Sequence, residues 1–252
     1  MSYLNYSYII GSGWYSCENP TEQVDIITEI HQQKYGGKTC RTSDFSKLWL
    51  INILKYCEKL PSKIIITDSN SPDKINDFVS TNELVEIIKL TKNFGHGVYS
   101  IKNNILCGWA RSVLVGAMYA LLNDVDYYVY LEQDLLVFGK NWLDKMILNM
   151  IKNKKNISLY DGRETPHKLQ QSLIIISKHF LQIFISKLIN YQNNKVSEEH
   201  KYWDCFENDI TWIPFKGGRQ RKKLDKIYYS KQHMSEEELE MEIKKHNHLQ
   251  IQ

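Results

Sequence analysis

Glu132-Gln133-Asp134 follows directly on a hydrophobic run, Tyr127-Tyr128-Val129-Tyr130-Leu131. Successive side chains of a strand point to opposite faces, so acids on either side of one residue put two carboxylates on the same side. Two hard oxygen ligands at a rigid strand end suit Mg²⁺ or Mn²⁺, and such an ion can also bridge a diphosphate. Two acids in a solvated loop are the plainer alternative, and the buried strand before them argues for the metal. His233 stands between Ile227-Tyr228-Tyr229, which reads as a strand, and Ser235-Glu236-Glu237-Glu238, which has capping-box spacing for a last helix. An imidazole in that loop could supply a further metal ligand, and a surface histidine is the alternative.

Phe215-Lys216-Gly217-Gly218-Arg219-Gln220-Arg221-Lys222-Lys223 joins a glycine pair to five cations. Guanidinium forks and mobile glycines suit a loop that closes over phosphates, with Lys216, Arg219 and Arg221 as contacts. A solvated basic loop is the other reading, and GxxxxGK[ST] is absent. Asp161, Glu164, Glu198, Glu199, Asp204, Glu207 and Asp209 lie downstream of the triplet and could act as a general base toward a hydroxyl. Spacing alone does not choose among them.

Elements that could hold these residues alternate along the first 140 positions. Tyr6 to Ile10 reads as a strand that stops at a turn, Gly11-Ser12-Gly13. Ser43-Asp44 can cap a helix carrying Phe45, Leu48, Trp49, Ile51, Leu54 and Tyr56, which Pro61 closes. Lys63 to Thr67 reads as a strand buried on both faces, ended by the polar run Asp68 to Asp73. Leu84 to Leu90 is a further apolar run, Trp109 to Asn123 has helical spacing, and Tyr127 to Leu131 is the next strand. This alternation predicts a doubly wound α/β sheet whose ligands sit beyond the carboxyl ends of the strands. Those ends carry Gly11-Ser12-Gly13-Trp14, Asp68 and Glu132-Gln133-Asp134. Further on, Leu173 to Ile176 reads as a strand, Phe180 to Ile189 as a helix and Tyr191 to Glu199 as a polar connection.

The composition narrows the classes. The chain has 252 residues, 32 basic against 29 acidic side chains, and a net charge of +3, which excludes a strongly basic nucleic-acid coat or an acidic tail. With 42% hydrophobic and 24% charged residues it can bury a sizeable core. No apolar stretch approaches the roughly 20 residues of a membrane span, and the first residues do not read as a signal peptide, so a cytoplasmic site of action is expected. Cys17, Cys40, Cys57, Cys107 and Cys205 never stand as CxxC, and reduced thiols are expected.

Taken together, these residues resemble the GT-A glycosyltransferases, metal-dependent enzymes with nucleotide-sugar donors. Glu132-Gln133-Asp134 resembles their DxD motif with Glu at its first position. The resemblance runs over about residues 7 to 139 and resumes from Glu198 to Leu239. It implies that Gly11, Ser12, Gly13 and Trp14 form the first nucleotide-binding loop and that Asp68 binds uracil or ribose. Arg111, in Trp109-Ala110-Arg111, would approach the nucleotide, and Gln133 would lie at the donor. The metal, Mn²⁺ or Mg²⁺, would be held by Glu132, Asp134 and His233, with Asp134 the firmer ligand. The base of an inverting member would stand at the start of a late helix, at Glu198-Glu199 or Glu207-Asn208-Asp209. The expected fold is a mixed, mostly parallel sheet in one domain over 1–252. Residues 1–140 would form the nucleotide-sugar half and 141–252 the acceptor half with a C-terminal helix. The expected function is transfer of a sugar from a nucleoside diphosphate sugar, a UDP-sugar, to a hydroxyl of a glycan or glycosylated acceptor. The rivals are a sugar-phosphate nucleotidyltransferase, whose basic Gly-rich loop after the first strand is missing, and a non-catalytic glycan- or nucleic-acid-binding module. The low net charge gives the last little electrostatic footprint.

Overall fold

Runs of Ile, Val and Tyr with few charges build strands that can be covered on both faces, and the chain contains several. The computed structural model describes residues 4–17, 39–57, 59–94, 106–162, 168–191, 196–213, 229–232, 237–238 and 241. In chain order they form β1 (Tyr8–Trp14), a 3-10 turn (Thr39–Arg41), α1 (Ser43–Tyr56), β2 (Lys63–Asp68), α2 (Asp77–Ser80) and β3 (Val85–Lys89). Then come α3 (Gly108–Leu122), β4 (Tyr127–Leu131), β5 (Leu135–Phe138), α4 (Trp142–Asn153), β6 (Ile157–Gly162) and β7 (Lys168–Ser177). The last are α5 (Lys178–Asn190), α6 (Glu198–Phe206), β8 (Ile210–Trp212) and β9 (Tyr229–Gln232).

Seven strands form one sheet in the order β3-β2-β1-β4-β7-β6-β8, and β5 pairs with β9 apart from it. β3, β2, β1 and β4 are parallel neighbours. β7 runs antiparallel to β4 and β6, and β8 is parallel to β6. The carboxyl ends of β1, β2, β4 and β6 therefore share one end of the sheet. Period-two alternation divides the core: Val129 and Leu131 pack with α1 and α4, while Tyr128 and Tyr130 face α3, α5 and α6.

Three local expectations are corrected. Gly11-Ser12-Gly13 is strand, not turn, because these glycines answer a packing demand. A Cβ at Gly11 would stand 2.8 Å from Tyr128 Cε2, and one at Gly13 2.9 Å from Ser112 Cβ. Gly116 meets the same Tyr128 ring from α3, also at 2.8 Å. The cap of α1 is Thr42, whose side chain accepts from Phe45 N, in place of Ser43-Asp44. The helix ends at Tyr56, before Pro61, with Cys57 N bonded to Ile53 O. The buried β2 and β4 and helix α3 lie as expected, whereas α4 and β6 went unread. All five cysteines are free thiols. Among the described residues no helix is long and apolar enough to cross a membrane.

The Tyr128 hydroxyl is buried with no hydrogen-bond partner among the described residues. Tyr128→Phe removes that unsatisfied group and is expected to stabilise the fold by about 1 kcal/mol. Gly116→Ala overpacks the same ring and should cost about 1–3 kcal/mol. Urea unfolding of the two variants checks the opposite signs.

Candidate active site

β4 ends at Leu131, and residues 133–134 turn. Strand alternation therefore stops before the acidic triplet is complete, which corrects the expectation that it puts both acids on one side. Glu132 follows Tyr130 on the α3 face, and its carboxylate adds to burial in pushing the Tyr130 phenol well above its ordinary range. Asp134 is the main charge acting on Arg41. Between them Gln133 is fixed: its Oε1 accepts from Tyr15 N at 2.8 Å, and its Nε2 donates to Cys40 O at 2.8 Å and Tyr15 O at 3.3 Å. The amide expected at the donor is engaged with backbone, and it ties together the triplet, the segment after β1 and the turn before α1.

The first strand offers less to a ligand than its sequence suggested. Ser12 is buried, and Trp14 packs edge-on against Trp49 while its Nε1 donates to Ser16 Oγ. Tyr15 is half-buried between the buried Trp14 and Ser16, and the Arg41 guanidinium lies over its ring at 5.4 Å. Asp68, level with Trp14 in the β1/β2 register, is 6% exposed. Its Oδ1 accepts from Ser71 N at 2.9 Å and from Ser71 Oγ, whose oxygen in turn accepts from Ser16 N at 2.8 Å. Asp68 thus joins the two strand ends. Arg41 was missed by sequence reasoning because it is far from Asp134 along the chain and matches no motif.

On the other face Trp109 opens α3 and meets both Tyr130 and Tyr202 edge-on, at 5.5 and 5.4 Å. Arg111, one turn from the same helix start, lies over the Phe94 ring at 3.6 Å and donates from Nε to Leu106 O at 3.0 Å. Its described partners are protein groups. Tyr202 reaches Trp109 near the crevice end of α3, whereas Phe206 meets Phe180 at the start of α5. The amino end of α6, with Ser197 as cap and Glu198-Glu199 behind it, therefore points toward the crevice.

Asp209 is corrected by register. Ile210 pairs with Ile157, Ile157 with Ile176, and Ile176 with Tyr128, so Asp209 is level with the start of β4. At ~3.3 Å per residue it stands roughly 16 Å from Glu132 along the strand direction. Its carbonyl accepts from Asn156 N and Ile157 N, at the sheet end opposite the crevice. Asp204 accepts from Tyr191 OH at 2.6 Å. Asp161 ends β6 on the crevice side.

The β5/β9 ladder sets Gln232 opposite Leu135, the residue after Asp134. His233 lies outside the described residues, as do Glu164, Lys216, Arg219, Arg221 and the Glu198 side chain. Among the described residues no group of three or more His, Cys, Asp or Glu is placed to hold a metal.

A mostly parallel sheet with one reversed strand, β7, and an acidic turn at the end of β4 fits the GT-A fold, and the resemblance read from the sequence holds for the architecture. No protein-family model matches the chain. Over 120 residues, 48% of the chain, it is 31% identical to the O-antigen chain rhamnosyltransferase WbaN of Salmonella anatum. That match covers 33% of the relative, so the chain aligns with about a third of the curated relative's length. Among solved structures, the mannosyltransferase PcManGT of Pyrobaculum calidifontis, in complex with GDP-Man and Mn²⁺, is similar at a TM-score of 0.52 and 11% identity. The similarity covers 90% of this chain and 57% of that one. A Bacillus anthracis protein named as a glucose-1-phosphate thymidylyltransferase is similar at a TM-score of 0.50 and 9% identity, over 98% and 97% of the two chains.

Gln133→Ala breaks three hydrogen bonds at once. It is expected to cost about 2 kcal/mol in urea unfolding and, without touching a ligand directly, to loosen the segment from Tyr15 to Cys17 toward limited proteolysis.

Proposed function

We propose that the chain is a metal-dependent glycosyltransferase that moves a hexose or related sugar from a nucleoside diphosphate sugar to a hydroxyl of a glycan or glycosylated acceptor, acting in the cytoplasm. The observation that carries this is the Glu132-Gln133-Asp134 turn at the shared end of β1, β2 and β4, with its middle residue pinned to backbone. The 31% identity to a protein named as a rhamnosyltransferase supports the reaction class.

The donor set fits a hard divalent ion, Mn²⁺ or Mg²⁺: Asp134 as direct ligand, Glu132 directly or through water, and oxygens of the diphosphate. His233 is the candidate third protein ligand, supported by the register that brings Gln232 opposite Leu135. Bound there, the ion would neutralise the departing diphosphate, where most charge develops. Asp68 and the half-buried Tyr15 would receive base and ribose, with a preference for uridine. Lys216, Arg219 and Arg221 would close over the phosphates, and Arg111 would orient the nucleotide from the start of α3. Glu198 or Glu199, at the crevice end of α6, would take the acceptor proton in an inverting reaction.

A second reading, a sugar-phosphate nucleotidyltransferase, is favoured by the similarity to the thymidylyltransferase structure. Against it, β1 continues as buried strand to Trp14, and Tyr15-Ser16-Cys17 behind it brings no cation. Incubation with Mn²⁺ separates the two. Slow hydrolysis of a nucleotide sugar supports the transferase, whereas diphosphate release from a nucleoside triphosphate plus a sugar 1-phosphate supports the rival.

Asp134→Asn is expected to abolish Mn²⁺-dependent donor hydrolysis while leaving the unfolding midpoint unchanged; retained hydrolysis would remove Asp134 from the site. In calorimetry with Mn²⁺, UDP is expected to bind more tightly than GDP, and the reverse order would reassign the base pocket.

A further inference from the structure

We propose that Arg41 is a diphosphate-binding residue of this site, a preset second cation that works beside the metal. The assignment rests on the nucleotide-sugar reading above and adds a residue to it.

Arg41 closes the 3-10 turn, and its backbone has little freedom. Gln133 Nε2 holds Cys40 O at 2.8 Å, and Cys17 N donates to Arg41 O at 3.2 Å. The side chain is equally directed: its guanidinium lies over the half-buried Tyr15 ring, in the segment just after β1. Burial lowers its proton affinity, and the Asp134 carboxylate is the largest influence in the other direction. Arginine stays charged through such a shift. A half-buried charge is therefore held over Tyr15 and beside the turn that carries the acid proposed as the firmer metal ligand. A guanidinium has five N–H donors in a planar fork, more than one carboxylate can accept. The group that uses such a fork best is an oxyanion with several acceptors, and a diphosphate at this strand end is one.

The same placement gives Arg41 two opposite effects. With no nucleotide present, a cation facing Asp134 opposes a divalent ion. With the diphosphate present, the cation and the ion both face its negative oxygens, and the opposition becomes cooperation. Metal and nucleotide should then bind as a coupled pair in the parent protein. Removing Arg41 should shift the two affinities in opposite directions, which loss of folding cannot do.

The test uses the full chain and its Arg41→Ala and Arg41→Lys variants. Mn²⁺ binding alone is followed by electron paramagnetic resonance, and UDP and uridine binding at saturating Mn²⁺ by calorimetry. Arg41→Ala is expected to bind Mn²⁺ alone several-fold more tightly. The same variant should bind UDP about tenfold to a hundredfold more weakly, with uridine unchanged. Arg41→Lys, which keeps the charge without the fork, should fall between for UDP and leave Mn²⁺ binding near the parent's. UDP affinity equal to the parent's in Arg41→Ala overturns the assignment alone. Equal weakening of UDP and uridine makes Arg41 a structural residue and overturns it too. Failure of the parent to bind any nucleoside diphosphate with Mn²⁺ overturns the donor reading, and Arg41 with it.

Discussion

The crevice depends on one side-chain amide. Gln133 sits between the two acids, and its carboxamide closes three hydrogen bonds onto the backbones of Tyr15 and Cys40. Three segments distant in sequence thereby become one rigid corner: the turn after β4, the exit of β1 and the entry to α1. The proposed metal site needs acids that do not drift, and a half-buried amide with satisfied polar atoms holds their turn in place. Glutamine also brings no charge of its own, so the potential at the corner is left to Glu132, Asp134 and Arg41.

The opposite face is held by a different force. Tyr130, Trp109, Tyr202, Phe184 and Phe206 form a continuous series of ring contacts, most of them edge-on. Each such ring buries on the order of 150–250 Å², and the tilted geometry adds about 0.5–1.5 kcal/mol per pair. The series runs from β4 through α3 to α6, so the position of Glu198-Glu199 relative to the acidic turn is set by aromatic packing. Hydrogen bonds fix the corner at Gln133, and aromatic rings fix the amino end of α6.

What could be read from the sequence follows from how local its cause is. β2 and β4 were legible because burial on both faces leaves an uninterrupted apolar run, and α3 because its apolar positions recur at helical spacing. The end of β1 was not, because glycine signals a turn when conformational freedom is the reason for it, and here the reason is the bulk of Tyr128 and Ser112. Asp209 and Glu199 look alike as sequence, and only the register of β6 and β8 separates them. Arg41 was invisible for the same reason: its relation to Asp134 exists only once β1, the 3-10 turn and β4 have come together. The late His233 was singled out by its loop position and by resemblance, and the ladder that supports it joins residues far apart in the chain.

That small ladder has a consequence for biosynthesis. β5 is Leu135-Leu136-Val137-Phe138, buried throughout, and its ladder partner is β9. Synthesis at ~5–20 residues per second leaves roughly 5–20 s between the two segments on the ribosome. During that interval α1 can cover one side of the strand, where Val137 N donates to Asn52 Oδ1 at 3.0 Å. The edge that β9 will cover waits, and its backbone groups form a template for another chain. A nascent or truncated polypeptide lacking β9 would thus expose a sticky edge directly beside Glu132 and Asp134. The neighbouring charges of Glu132 and Asp134 then act as gatekeepers against self-association.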